Sequence, residues 1–86
     1  MQQSSLLIDT SGWASYLHAG DPFHAEAVHL YQSAYARHAA LVTTDYVLAE
    51  LVALLSSTHY KLPRQRVIAI VTTILGDPGV TIEPTT

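Results

Sequence analysis

Three short apolar runs separated by helix-forming stretches constrain this 86-residue chain more than any other feature. The runs are SLLID (5–9), AALVT (39–43) and VTIE (80–83). Continuous runs this short suit strands covered on both faces, as in a parallel sheet. Parallel strands need a crossover rather than a tight turn, and each gap holds enough helical sequence for one. In the first gap, TSGWASYLH (10–18) reads as a helix with Thr10 or Ser11 as cap. Asp21 and Pro22 then open a second helix, supplying an N-cap acceptor and a proline at the first helical position. That helix is expected to reach about Arg37 and to bury Phe23, Ala27, Leu30, Tyr31 and Ala34. In the second gap, Thr43 or Thr44 caps DYVLAELVALLSST, with Val47, Leu48, Leu51, Leu54 and Leu55 as core face. Pro63 opens RQRVIAIVTTIL, Gly76 ends it, and DPG makes a turn.

The alternation predicts an α/β chain with a short parallel sheet of about three strands and about four helices in Rossmann-like layers. No repeat or linker divides it, so residues 1–86 are expected to form a single domain. Charged residues make up 13%, about half the globular average of roughly 25%. A domain this small has much surface for its volume, so apolar surface is expected to meet another chain or segment. The formal charge of −3 argues against binding nucleic acid by bulk charge and leaves a local basic patch open. Cysteine is absent, which excludes a disulfide framework and a thiolate zinc site and fits a cytoplasmic protein. MQQSS lacks the basic residues of a signal peptide, and the longest apolar stretches fall short of the roughly 20 residues a bilayer requires. A soluble chain without a membrane partner is expected.

Asp9 ends the first apolar run. It is either a turn-forming acceptor or half of a metal site. A second acid, Glu50, interrupts the apolar helix VLAELVALL. A helix apolar nearly all round is expected to be buried, and a carboxylate within it needs a salt bridge, a backbone contact or a metal. In a parallel sheet, Asp9 and Glu50 both fall at the carboxyl edge, where open α/β sheets place their sites. Two acids there suit a hard divalent cation that keeps some of its waters.

LLIDTSGWASYL, DPFHAEAV and LVTTDYVLAELVALL, taken in order over about residues 5–58, resemble the PIN domain, especially the form found in VapC-type toxins. Asp9 matches the acid of a D-[ST]-[SN]-like stretch, His24 the histidine of a D-x-x-H-x-x-A-like helix start, and Glu50 the acid of a T-x-x-x-x-x-E-like helix start. The resemblance implies a PIN-like three-layer fold and a ribonuclease dependent on Mg²⁺ or Mn²⁺. Asp9 and Glu50 would be its catalytic and metal-binding acids, RNA its substrate, and an antitoxin protein a possible partner. Ser11 and Thr44 lie beside these acids and would hydrogen-bond them or water on the ion; helix capping is the competing role.

The chain departs from the family after the third strand, where a further helix and a third and fourth acid are expected. Beyond Glu50 its carboxylate side chains are Asp77, in a DPG turn, and Glu83, at the end of VTIE. It therefore reads as the amino-terminal portion of a PIN-like domain. Strand one would then be an open edge, and SLLI is expected to pair with another chain in a homo-oligomer.

Other residues carry weaker signals. No two of the five histidines stand at the i, i+4 spacing of a helical zinc motif, and His24 suits a packing or hydrogen-bonding role. Trp13, with Tyr16 and Leu17, reads as core. Lys61, Arg64 and Arg66 form the one concentration of positive charge, suited to phosphate contacts or to a solvated surface. Lys61 stands roughly 16 Å beyond Glu50 along a continued helix, toward the other end of the sheet. The leading expectation is a metal-dependent ribonuclease, the toxin of a toxin–antitoxin pair. The alternatives are a catalytically incomplete oligomerisation or antitoxin-binding module, and an unrelated α/β domain in which both acids are structural.

Overall fold

A computed structural model describes residues 5–85. Its elements run β1 (Ser5–Leu7), α1 (Thr10–Leu17), α2 (His24–Ala36), β2 (Ala40–Thr44), α3 (Asp45–Leu55), α4 (Arg64–Gly76) and β3 (Val80–Glu83). The sheet order is β1-β2-β3 and both pairs are parallel, with Leu6 opposite Leu41, Leu41 opposite Val80, and Thr43 opposite Ile82. This is the expected α/β architecture. No helix among the described residues is long and apolar enough to cross a membrane.

Alternation along the strands puts Leu6, Ile8, Leu41, Thr43, Val80 and Ile82 on one face. The core is built there. Ile8 and Leu41 join Trp13 and Ala14 of α1, Tyr31 and Ala34 of α2, Leu48, Leu51 and Leu55 of α3, and Val67 and Ile74 of α4 in one cluster. All four helices thus pack on the same face. The chain steps from β1 to β2 to β3 in one direction, and two right-handed crossovers in one direction put their helices on one side. The opposite face carries Leu7, Ala40, Val42 and Thr81, and Leu7 is 72% exposed. The expectation that β1 is covered on both faces holds for one face only.

A buried hydrogen-bond chain ties the layers together. The Trp13 Nε1–H donates to Thr43 Oγ1 at 3.1 Å, and the Thr43 hydroxyl donates to the Ile8 carbonyl at 3.1 Å. Trp13 is therefore core, as its spacing indicates, and its one polar atom is satisfied. Its ring meets Tyr31 edge-on at 5.9 Å, and Tyr16 lies 4.4 Å from the same tyrosine, locking α1 to α2.

Two local expectations need correction. The second helix begins at His24, because Asp21 Oδ1 accepts from the Phe23 N–H at 2.8 Å and the His24 N–H bonds the Asp21 carbonyl. Asp21 thus forms a turn ahead of the helix, and the N-cap is Phe23. Ala27, Tyr31 and Ala34 are buried as a single narrow stripe, while Phe23 and Leu30 are 63% and 49% exposed. The third helix is buried along Leu48, Leu51 and Leu55, but Glu50, Val52 and Ala53 face solvent, so it is amphipathic in packing although apolar in composition.

Candidate active site

Asp9 follows β1 and is the N-cap of α1, in place of the expected Thr10 or Ser11, because the helix already begins at Thr10. Its Oδ1 accepts from the Gly12 N–H at 2.8 Å and from the Ser11 hydroxyl at 3.2 Å. The carboxylate is thereby fixed at the carboxyl edge of the sheet, with its second oxygen left for another partner. Thr44 ends β2 and caps α3 by accepting from the Val47 N–H at 3.0 Å. Glu50 follows in the second turn of α3 and reaches back to the same edge, where the Thr10 hydroxyl donates to its Oε1 at 3.0 Å. The two acids are thus joined through adjacent residues, Asp9 and Thr10, across the sheet. Glu50 is exposed, so the expected burial of this carboxylate is corrected.

Of the supporting pair, Ser11 bonds Asp9 directly, while Thr44 acts as the α3 cap. His24 holds α2 against α1 through Nδ1 and the Ser15 carbonyl at 2.9 Å. The Tyr31 hydroxyl stands beside Asp9: a Cβ placed on Gly12 would lie 3.1 Å from both the Tyr31 oxygen and Asp9 Oδ1. Burial raises the Tyr31 pKa well above its ordinary value, and the nearby Asp9 charge adds to the shift. Tyr31 is therefore neutral at working pH and faces Asp9 as an uncharged neighbour.

The remaining carboxylates have other attachments. Asp77 keeps its turn role, accepting from the Gly79 N–H at 2.8 Å and from the Tyr35 hydroxyl at 2.5 Å. Burial, and then that bond, push the Tyr35 pKa up to about 12. Glu83 ends β3 in register with Thr44, at the edge that carries Asp9. Asp45, which sequence reasoning passed over, accepts from both the N–H and the hydroxyl of Thr85, at 2.9 and 2.6 Å. These bonds lower its pKa. No local signal in the sequence pairs residues so far apart. Among the described residues no group of three or more His, Cys, Asp or Glu gathers as a metal cluster.

The basic cluster disperses. Lys61 adopts a left-handed backbone (φ 55°) in the turn after α3, with its N–H on the Ser57 carbonyl. Arg64 and Arg66 lie two apart on α4, a spacing that separates side chains. Arg64 borders a surface recess with Val52, Ser56 and Ile68, and Arg66 a different one with Tyr16, Tyr35 and Ile70.

Comparison with known proteins agrees with this fold. Residues 6–86 match the PIN domain family. No curated protein is matched. Among solved structures, Mycobacterium tuberculosis VapC20, described as a Sarcin-Ricin loop cleaving toxin, superposes with a TM-score of 0.75 at 28% identity. The match covers 95% of this chain and 58% of VapC20. A parallel β1-β2-β3 sheet with its acids at the carboxyl edge, matched from residue 6 to residue 86, makes this chain a member of the PIN domain family.

Proposed function

We propose that this chain carries the first part of a metal-dependent ribonuclease site and acts as the toxin component of a toxin–antitoxin pair. The observation that carries the reading is the convergence of Asp9 and Glu50 at one sheet edge, linked by the Thr10 hydroxyl. The donor set fits a hard divalent cation: the carboxylates of Asp9 and Glu50 are oxygen ligands, and neither sulfur nor imidazole is among the donors. Asp9 and Glu50 would hold Mg²⁺ or Mn²⁺, with Ser11 orienting the Asp9 carboxylate. When bound, the ion supplies charge stabilisation at the phosphate and a more acidic water for in-line attack on RNA. The chain's own residues fix Asp9 through the Gly12 N–H and Ser11, and hold Glu50 through Thr10. Lys61, Arg64 and Arg66 would contribute phosphate contacts remote from these acids.

The site is expected to gain further ligands by assembly. β1 is an outer strand and one sheet face is open around Leu7, so a homo-oligomer through the β1 edge would cover both. That same open face favours the second reading, a PIN-like module that oligomerises or binds an antitoxin without cutting RNA. A structured RNA panel incubated with the chain in Mg²⁺ or Mn²⁺ separates the two. The nuclease reading expects metal-dependent cleavage that disappears in both Asp9→Asn and Glu50→Gln. A folded wild-type chain that cuts none of the panel leaves the module.

A further inference from the structure

The apolar side chains that α2 leaves out of the core gather beside Asp9. Phe23, 63% exposed, and Leu30, 49% exposed, line an open recess of about 370 Å³ with Asp9, Ser11, Glu26 and Tyr31. That volume lies at the lower end of ligand clefts, roughly 300–1,000 Å³. We propose that the recess binds a guanine base of the RNA, with the Phe23 ring stacking on it and the Glu26 carboxylate accepting from its Watson–Crick edge. The proposal rests on the ribonuclease reading above and names the part of the substrate that the chain itself selects.

Three features favour this occupant. The first is continuity. Asp9 is both a wall of the recess and one of the two acids that would hold the ion, so a base seated there belongs to a nucleotide adjoining the phosphate at that site. The second is charge. Asp9 and Glu26 make the walls acidic, which repels a bare phosphate or an acidic peptide and accepts an uncharged, donor-rich ring. The third is donor pattern. A carboxylate accepts two parallel N–H bonds, and guanine alone among the four bases offers adjacent ring and amino donors on one edge. Adenine and cytosine pair a donor with an acceptor, and uracil sets one donor between two acceptors, which leaves a carboxylate oxygen facing a lone pair. Phe23 supplies the stacking face that single-stranded RNA recognition uses.

The test is binding of the four uncharged nucleosides to the isotopically labelled chain, followed by amide shifts, without metal. Guanosine is expected to move amides around residues 9–15 and 23–31 and to bind about tenfold tighter than uridine. Phe23→Ala should weaken guanosine at least about fivefold. Glu26→Gln should remove the preference for guanosine while retaining weak stacking. Both side chains are exposed, so both variants are expected to keep the wild-type circular dichroism. Equal binding of all four nucleosides, or guanosine binding untouched by either variant, overturns the proposal. So does tighter binding of N-acetyl-arginine amide than of guanosine, which would assign the recess to a peptide guanidinium. RNA left uncut by a chain that binds guanosine in this way removes the nuclease reading alone. Cleavage without guanosine preference removes the recess proposal alone.

Discussion

Gly12 has little room beside the candidate site. Its backbone is not in the left-handed region, so the constraint is space: an added Cβ would lie 3.1 Å from Asp9 Oδ1 and the Tyr31 hydroxyl and 3.2 Å from Ile8 Cγ2. Ile8 and Tyr31 are core residues and cannot retreat freely. Gly12→Ala is expected to destabilise by about 1–3 kcal/mol and to displace the Asp9 carboxylate. A denaturation midpoint equal to wild type would refute it. Trp13 makes a second test, since Trp13→Phe removes the donor to Thr43 while keeping an aromatic ring. Thr43 retains its bond to the Ile8 carbonyl, so the expected loss, read from urea unfolding, is about 1–3 kcal/mol from the bond and the vacated volume. The placement of Asp9 and Glu50 at one sheet edge was legible because each is a lone carboxylate in apolar sequence. Phe23 was misread because its helical spacing to Ala27 looks like core, whereas Asp21 turns the chain before the helix starts.

The boundaries of α4 were the most legible, because Pro63 and Gly76 act through local stereochemistry alone. Thr43 or Thr44 was expected as a cap from its place between a strand and an apolar helix, and Thr44 makes that bond. Thr44→Ala should cost about 1 kcal/mol of stability by thermal unfolding, and Thr44→Ser should restore most of it. The tether from α3 to the residues after β3 was not legible, since Asp45 and Thr85 meet only once the sheet has formed. It carries a pH signature. The folded pKa of Asp45 is lowered, so its stabilisation is present above the unfolded value of 3.8 and fades as pH falls through the folded value. Asp45→Asn should flatten the stability profile in that acidic window by losing the contribution present above it, so that variant and wild type differ at neutral pH and converge in acid. An unaltered acid limb in the variant would contradict the assignment.

At the scale of the whole molecule, the low charged fraction found its counterpart in the open sheet face. The apolar strand runs were read as covered on both sides, and the one-directional strand order covers only one. Short apolar strands specify that both faces suit burial; they do not specify which chain or segment does the burying. Leu7 lies on that face at the outer strand. Sedimentation of the wild-type chain is expected to show concentration-dependent association, and Leu7→Lys should shift it toward monomer. A wild-type chain that sediments as a monomer at every concentration would remove the β1-edge oligomer.

The sheet order also divides the strands by how their amides exchange with solvent. β2 is paired on both sides, whereas β1 bonds only inward, with the Ile8 N–H on the Val42 carbonyl. By alternation the Leu7 N–H points away from β2, and among the described residues no strand receives it. In deuterated water, Leu41 through Thr43 should hold their protons through every fluctuation short of global unfolding, while Leu7 should lose its own first. Any partner that completes the sheet along β1 would write itself into that one amide, slowing its exchange before activity or mass reports a complex.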